Sequence, residues 1–170
     1  SILKKIDFLV LKYYLIIWHF FKKFNLGKDF CYFDRKKIYY DSKHGLTGYQ
    51  SLLARHQKLI KLEDIKGVKV VIDIGANVGF FSKLCRDIYP KSKIFAFEPI
   101  PKTFECLKKN FCEDNNMQVY NLAISDYDGR AKMNFDEQDS VISQITEKGD
   151  IEVEARVLDG FVEKNNIDYI

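Results

Sequence analysis

The chain has 170 residues, 46% hydrophobic and 30% charged, with a formal net charge of +3 at pH 7, and is long enough for one domain with a real core. Its four cysteines and three histidines show neither disulfide-framework nor metal-ligand spacing, which excludes a predicted metal site and favours reduced thiols in the cytoplasm. Residues 1–66 carry 14 basic and 6 acidic side chains, whereas residues 67–170 carry 13 and 18. We therefore predict two segments that meet near residue 66, and we expect an anionic partner for the first.

Residues 1–24 have the pattern of an amphipathic helix. At about 100° per residue, five lysines and His19 fall within one arc of about 100°, and nearly every other residue is apolar. A transmembrane span needs about 20 apolar residues, whereas the run from Phe8 to Phe21 is shorter and contains Lys12. The helix either docks on protein or lies flat on an anionic membrane with Trp18 inserted, which would hold a cytoplasmic protein peripherally at the membrane. Nucleic acid is not a predicted partner, because the basic residues accompany an apolar face.

Residues 25–66 carry weaker signals. The first part of this stretch predicts irregular chain, and the pattern from Thr47 to Leu62 predicts a helix that Thr47 or Ser51 can cap. His44 lies in the loop before this helix. It either reaches towards a cofactor or acceptor or is simply solvated.

The most informative segment is the run from Val70 to Ser82, which reads VVIDIGANVGFFS. Its β-branched apolar residues predict a buried parallel strand, and Gly75 and Gly79 bracket the turn that follows. A helix that begins near this turn would place free N–H groups in the crevice beyond the carboxyl end of the strand. A dinucleotide fingerprint would need glycine in place of Asn77 and Phe80, which argues against an NAD-linked oxidoreductase, and no P-loop lysine follows.

Two carboxylates in this region indicate the type of ligand. Asp73 lies inside the loop, where it would repel a pyrophosphate but suits a cation such as the amino group of an amino-acid-like ligand. Glu98 ends the next apolar strand 25 residues later, at the spacing of an acid that accepts hydrogen bonds from ribose hydroxyls. Taken alone, Glu98 is equally a solvated residue at a strand end. Together the two acids predict S-adenosyl-L-methionine (SAM), which has an amino-acid end, a ribose and no phosphate.

Two helices are predicted around the second strand. The first spans residues 78–88 as a crossover, and its apolar stripe is core: Phe80, Phe81, Leu84, Cys85 and Ile88. The second begins after Pro101 and runs to Asn110.

Further strands complete the pattern. A third strand is predicted over residues 117–124, and two exposed antiparallel strands over 130–135 and 150–158, joined by a polar connector. These elements predict an α/β fold with a doubly wound, Rossmann-like sheet over residues 67–170, preceded by a helical segment over residues 1–66.

From residue 70 onwards the sequence resembles the FkbM-type SAM-dependent methyltransferases. Four blocks carry the resemblance: VVIDIGANVGFFS, FAFEPIPKTFECLKKN, NLAISDYDGRAKM and VLDGFVEKNNIDYI. The resemblance implies O-methylation of a small or glycan-like acceptor. It also implies that Glu98 binds the ribose of SAM and that the backbone at Leu122 and Ala123 meets the adenine. The residues that it implies at the methionine end are Asp73, Gly75, Ala76, Asn77 and Gly79.

The sequence departs from the family pattern after the segment Ile167-Asp168-Tyr169-Ile170. The family continues there with a Lys-Ile-Asp-x-Glu-Gly block at the end of a fourth strand, whereas this sequence stops at Ile170. Methyl transfer needs the acceptor oxygen in line with the methyl group and a group that removes its proton. We expect those groups beyond residue 170, and we identify no catalytic residue within the chain. The alternative is a non-catalytic SAM-binding or membrane-docked module.

Overall fold

The computed structural model describes residues 30–33, 36–40, 65–134, 144–146 and 148–167. The helices predicted over residues 1–24 and 47–62, and His44, lie outside these residues. The elements in chain order are β1 (Phe30–Phe33), β2 (Lys36–Tyr39), β3 (Val70–Ile74), α1 (Phe80–Ile88), β4 (Lys93–Phe97), α2 (Pro101–Asn110), β5 (Met117–Tyr120), β6 (Ala123–Ser125), β7 (Gly129–Asn134), β8 (Gln144–Ile145), β9 (Ile151–Val157) and α3 (Leu158–Lys164). None of the helices in the described part of the chain has the length and apolar character needed to cross a lipid bilayer.

A three-stranded parallel sheet in the order β3-β4-β5 forms the centre of the fold. Ile72 lies opposite Phe95, and Ala96 lies opposite Val119. Parallel neighbours need crossover connections, which α1 supplies between β3 and β4 and α2 between β4 and β5. The middle strand is the most deeply buried, with residues 94–97 at most 5% exposed.

Helices cover both faces of this sheet. On one face, Ile94 and Ala96 pack with Leu107 of α2 and with residues of α1. On the other, Phe97 packs with α3, where its ring meets Phe161 edge-to-face at 4.9 Å between centroids. An aromatic pair of this geometry contributes about 1 kcal/mol beyond the area that it buries. The predicted doubly wound, Rossmann-like α/β sheet is confirmed.

The apolar stripe predicted on α1 is only partly correct. Phe80 and Cys85 are buried, but Leu84 and Ile88 are half-buried. Ser82 and Lys83 are buried as well. These polar residues are accommodated because Ser82 donates a hydrogen bond to Asp73 and Lys83 forms an ion pair with Asp87 one turn further on.

The strand predicted over residues 117–124 is interrupted in the structure. It divides into β5, in the parallel sheet, and β6, in a second sheet of order β6-β9-β7-β8. The interruption lies at Asn121, whose side-chain amide donates to the carbonyl oxygens of Glu98 at 2.8 Å and Pro99 at 2.9 Å. These bonds hold the chain in an irregular segment where the sequence pattern suggests continuous strand.

The second sheet contains the two antiparallel strands that the sequence predicts. β7 pairs with β9, with Ala131 opposite Val153, and β6 joins the other side of β9 in parallel. Val153 and Ala155 are buried, as the alternating pattern predicts, and they pack with Ile100, which precedes α2. The second sheet therefore lies against the start of α2.

Residues 30–39 contain a β-hairpin where the sequence predicts irregular chain. β1 and β2 pair antiparallel. Ile38 is 1% exposed and packs against Val78 and Phe80, and Lys109 lies over the ring of Tyr39 at 3.6 Å. The hairpin thus packs on elements from beyond the predicted boundary near residue 66.

Candidate functional site

The carboxyl ends of β3, β4 and β5 meet at one edge of the parallel sheet. The N–H groups of Gly75 and Ala76 both donate to the carbonyl oxygen of Phe97 at 2.9 Å, and Glu98 N–H donates to Tyr120 O at 3.0 Å. The loop after β3, the acid after β4 and the residues after β5 are therefore held together. This is the edge at which open α/β sheets bind ligands.

The loop from Gly75 to Gly79 has an unusual backbone. Gly75 has φ of +73°, Asn77 +52° and Gly79 +94°, all in the left-handed region. Glycine enters this region freely, and asparagine enters it more readily than most residues because its short side chain can bond locally. Here the side-chain oxygen of Asn77 accepts a hydrogen bond from Val78 N–H at 2.8 Å. Such a conformation persists only where neighbouring groups hold it.

Every backbone N–H group of this loop is used inside the protein. The donors and acceptors are Gly75 and Ala76 to Phe97 O, Asn77 to Glu98 Oε2, Val78 to Asn77 Oδ1 and Gly79 to Ala76 O. The expectation of free N–H groups in the crevice is therefore wrong for the loop itself. A phosphate needs such donors, whereas this loop has carbonyl and carboxylate oxygens to offer a ligand. It suits a ligand that brings donors or positive charge.

Asp73, the carboxylate within the loop motif, is engaged with the first turn of α1. It is 6% exposed, and its Oδ2 accepts a hydrogen bond from the Ser82 hydroxyl at 2.6 Å. The Ser82 N–H also donates to it. Burial raises the pKa of the Asp73 carboxyl above its ordinary value, and the bonds from Ser82 act in the opposite direction. Asp73 thus fixes the N-terminus of α1 to the end of β3.

Glu98 is buried beneath the same loop, which rules out the interpretation as a solvated residue at a strand end. It is 5% exposed, and its two oxygens accept hydrogen bonds from Asn77 N–H at 2.8 Å and Ile100 N–H at 2.9 Å. Burial, together with the smaller effect of the Asp73 charge, raises the pKa of Glu98 to about 7 against the lowering effect of these two bonds. Each carboxylate oxygen has a second lone pair. Glu98 can therefore accept hydrogen bonds from a ligand while it holds the loop.

The two glycines that bracket the loop have different surroundings. A Cβ atom added to Gly75 would meet nothing within 4 Å, so open space lies beside this residue. A Cβ atom added to Gly79 would lie 2.3 Å from a ring carbon of Phe111 and 2.8 Å from a methyl carbon of Leu107. Packing against α2 therefore requires glycine at position 79, whereas the space beside Gly75 is available to a ligand.

Comparison with known proteins identifies the family. The profile of the Methyltransferase FkbM domain matches residues 73–170, which is more than half of the chain. The chain belongs to the FkbM methyltransferase family. The resemblance carried by the four sequence blocks is confirmed.

Individual relatives match shorter stretches. The chain is 31% identical over 86 residues to the 2-O-methyltransferase NoeI of Sinorhizobium fredii (strain NBRC 101917 / NGR234), covering 51% of this chain and 35% of that relative. It is 45% identical over 40 residues to Methyltransferase sdnD of Sordaria araneosa, covering 24% and 15%. The solved structure of P. horikoshii TYW2 in complex with MeSAdo aligns with a TM-score of 0.41 and 21% identity, covering 58% of this chain and 42% of that chain. The chain spans about a third of the length of NoeI.

The cofactor of an FkbM methyltransferase domain is SAM. The described residues fit this molecule on three observations. Oxygen acceptors predominate in a loop whose N–H groups are taken, which suits the ammonium group of the methionine end. Glu98 has lone pairs for the ribose hydroxyls, and the space beside Gly75 is open.

Leu122 and Ala123 follow β5 at the same sheet edge, next to Asn121. Leu122 is half-buried and packs with the aromatic cluster around Phe97, and Ala123 is buried and pairs with Ala155. Asn121 itself was missed by the sequence reasoning. One sequence signal could have indicated it: Asn121 is a polar residue within a predicted apolar strand, close to the sheet edge at which ligands bind.

A polar cleft of about 580 Å³ adjoins this edge between the start of α2 and the second sheet. Pro99 and Asn121 line it on the side of Glu98, and charged side chains of β7 and β9 line the other side: Arg130, Glu152, Glu154 and Arg156. Arg130 is paired with Glu152 and Arg156 with Glu154, so these four charges cancel. In the described part of the chain, no group of His, Cys, Asp and Glu side chains is arranged to hold a metal ion.

Proposed function

We propose that this chain supplies the cofactor site of a SAM-dependent methyltransferase that acts on an oxygen of a small or glycan-like acceptor. The observation that carries the proposal is the loop from Gly75 to Gly79, in which all five N–H groups are bonded internally above the buried carboxylate of Glu98. A dinucleotide pyrophosphate would find no free donor in this loop. A cationic amino-acid end and a ribose would find acceptors.

Each predicted site residue has a distinct task in this proposal. Glu98 accepts hydrogen bonds from the ribose hydroxyls, and the backbone at Leu122 and Ala123 borders the adenine. The loop around Gly75 faces the amino-acid end, and Asp73 keeps α1 in register with β3 through Ser82. The bound cofactor supplies an electrophilic methyl group on a sulfonium sulfur. We assign no acceptor-activating residue among the described residues.

The nature of the acceptor is supported by two observations. NoeI, a relative over half of this chain, is a 2-O-methyltransferase, which supports oxygen as the acceptor atom. The cleft beside Pro99 and Asn121 combines paired guanidinium and carboxylate groups with no net charge. Such a lining suits an uncharged ligand rich in hydroxyl groups, since it offers both donors and acceptors.

Calorimetric titration tests the cofactor assignment. The chain should bind S-adenosyl-L-homocysteine, the demethylated product, and excess NAD should not compete with it. A chain that does not bind S-adenosyl-L-homocysteine, or one in which NAD displaces it, would overturn the proposal. Transfer of radioactive methyl from SAM to a panel of mono- and oligosaccharides, measured with protein expressed from the whole open reading frame, then tests the acceptor class.

A further inference from the structure

Asn110, the last residue of α2, connects three elements through one side-chain amide. Its Oδ1 accepts a hydrogen bond from Tyr39 N–H at 2.7 Å. Its Nδ2 donates to Tyr39 O at 2.9 Å and to Val78 O at 2.8 Å. The side chain thus pairs with the backbone of β2 much as a neighbouring strand would, and its remaining proton binds the loop of the candidate cofactor site.

The carbonyl group of Val78 lies in a constrained part of that loop. It is flanked by Asn77 and Gly79, both with left-handed φ angles of +52° and +94°. The other loop contacts described above hold residues 75–77 from the side of β4 and Glu98. The hydrogen bond from Asn110 holds the loop from the side of α2.

Packing at Val78 and Gly79 reinforces this bond. Ile38 of the hairpin contacts Val78, and Phe111, the residue after Asn110, fills the position where Gly79 lacks a Cβ atom. The loop therefore rests on the hairpin at Val78 and on the end of α2 at Gly79, whereas open space lies beside Gly75.

We propose that Asn110 is a positioning residue for the cofactor loop: by joining β2, α2 and the Val78 carbonyl it holds Val78, and with it the flanking left-handed residues Asn77 and Gly79, in the conformation that receives the ligand. The inference rests on the proposed function, because it takes the ligand of this loop to be SAM. Without the amide donor, the Val78 carbonyl loses its partner and the left-handed residues relax. Ligand binding must then also order the loop, which weakens affinity.

The test is calorimetric titration of S-adenosyl-L-homocysteine into the chain and its Asn110→Asp variant. Aspartate keeps the shape and the acceptor for Tyr39 N–H but loses both donors. We expect affinity to fall about tenfold at a temperature at which the variant is fully folded by circular dichroism. Asn115→Asp, at an exposed position, is the matched control and should bind like the parent chain. Unchanged affinity in Asn110→Asp would overturn the inference and leave the proposed function standing, whereas a parent chain that does not bind would overturn the proposed function.

A second measurement needs no variant, in case Asn110→Asp does not fold. The side-chain NH₂ resonances of Asn110 in the parent chain should shift when S-adenosyl-L-homocysteine binds, since the loop carbonyl that they contact is fixed by the ligand. The NH₂ resonances of Asn115 should not shift. Asn110 resonances that stay unchanged at saturating ligand would overturn the inference.

Discussion

At the scale of single residues, Glu98 has two tasks that cannot be separated by simple removal. Its oxygens hold the N–H groups of Asn77 and Ile100, and in the proposed function they also receive the ribose hydroxyls. Truncation to alanine would leave two buried donors without partners and loosen the loop. A shape-conserving substitution is therefore the better probe of ligand binding.

At about pH 8, where Glu98 is ionised, Glu98→Gln should weaken the binding of S-adenosyl-L-homocysteine by about 1.5–3 kcal/mol, because the charged acceptor becomes a neutral amide whose NH₂ end cannot accept a hydrogen bond. Calorimetry measures the change. Glu105→Gln on the exposed side of α2 is the control and should leave affinity unchanged. Equal affinity in the two variants would contradict the ribose assignment.

The pKa of Glu98 also predicts a dependence of stability on pH. Burial raises this pKa from 4.5 to about 7 in the folded chain. Between these pH values the folded state keeps a proton that the unfolded state has released, so the free energy of unfolding falls as the pH rises from 4.5 to 7. The loss is complete above the folded-state pKa and amounts to about 3 kcal/mol.

Urea denaturation at about pH 5 and about pH 8 measures this loss. Glu98→Gln cannot ionise, so between these pH values it should lose less stability than the parent chain, by about 2.5 kcal/mol. The raised pKa of Asp73 acts with the same sign in both chains. Parallel pH profiles for the two chains would show that Glu98 is ionised throughout.

At the scale of elements, the sequence pattern correctly predicts the strands and helices that depend on interactions between residues close in the sequence. The strand, turn and helix from Val70 to Ile88 follow from apolar periodicity and two glycines, and the carboxyl-end rule brought Glu98 to the same site. The features that the sequence did not predict, such as the interruption at Asn121, depend on hydrogen bonds between residues far apart in the sequence. Short-range sequence patterns do not reveal such bonds. Asn110 meets Tyr39 across 71 positions, and Asn121 meets Glu98 across 23.

The hairpin was missed for the same reason. Its connecting residues, Asp34 and Arg35, are not one of the glycine-containing pairs that mark hairpins. Its position depends on Asn110 and on the burial of Ile38 against Val78. Likewise, the N–H groups of the loop from Gly75 to Gly79 are bonded internally because β4 and Glu98 lie beside the loop. The spacing of the glycines in the sequence does not specify that position.

The loop from Gly75 to Gly79 allows a matched pair of substitutions. Gly79→Ala should destabilise the chain by about 3 kcal/mol, because it combines a left-handed φ with overlap against Phe111 and Leu107. Gly75→Ala meets no atom within 4 Å, so only the conformational cost of about 1–2 kcal/mol applies. Its methyl group enters the proposed ligand space, and affinity for S-adenosyl-L-homocysteine should fall about tenfold or more.

Urea denaturation and calorimetry on both variants check this ordering. Gly79→Ala should show the larger loss of stability, and Gly75→Ala should show a loss of affinity out of proportion to its stability. A Gly75→Ala chain that binds as tightly as the parent would place the ligand elsewhere.

At the scale of the whole molecule, the two halves of the chain differ in charge but are joined in structure. The basic half carries the hairpin that packs on α2 and touches the cofactor loop through Val78. A partner of the basic half would therefore bind a segment continuous with the support of the candidate site. The residues upstream of the hairpin carry the strongest sequence signal for such a partner.

Residues 1–24 predict a helix with five lysines along one arc and apolar residues around the rest. If this helix binds an anionic membrane, each lysine contributes about 1 kcal/mol, and the attraction decays within a Debye length of about 10 Å at 0.1 M salt. Binding to vesicles should then require acidic lipid and weaken as salt is added. Co-sedimentation with phosphatidylserine-containing and pure phosphatidylcholine vesicles measures both effects.

Two variants serve as controls. Deletion of residues 1–24 leaves the hairpin from Phe30 intact and should abolish binding. Replacing the five lysines with glutamine should remove the lipid preference. A helix docked on protein predicts the opposite pattern: neither vesicle type binds, and deletion lowers solubility because the apolar surface that the helix covered becomes exposed.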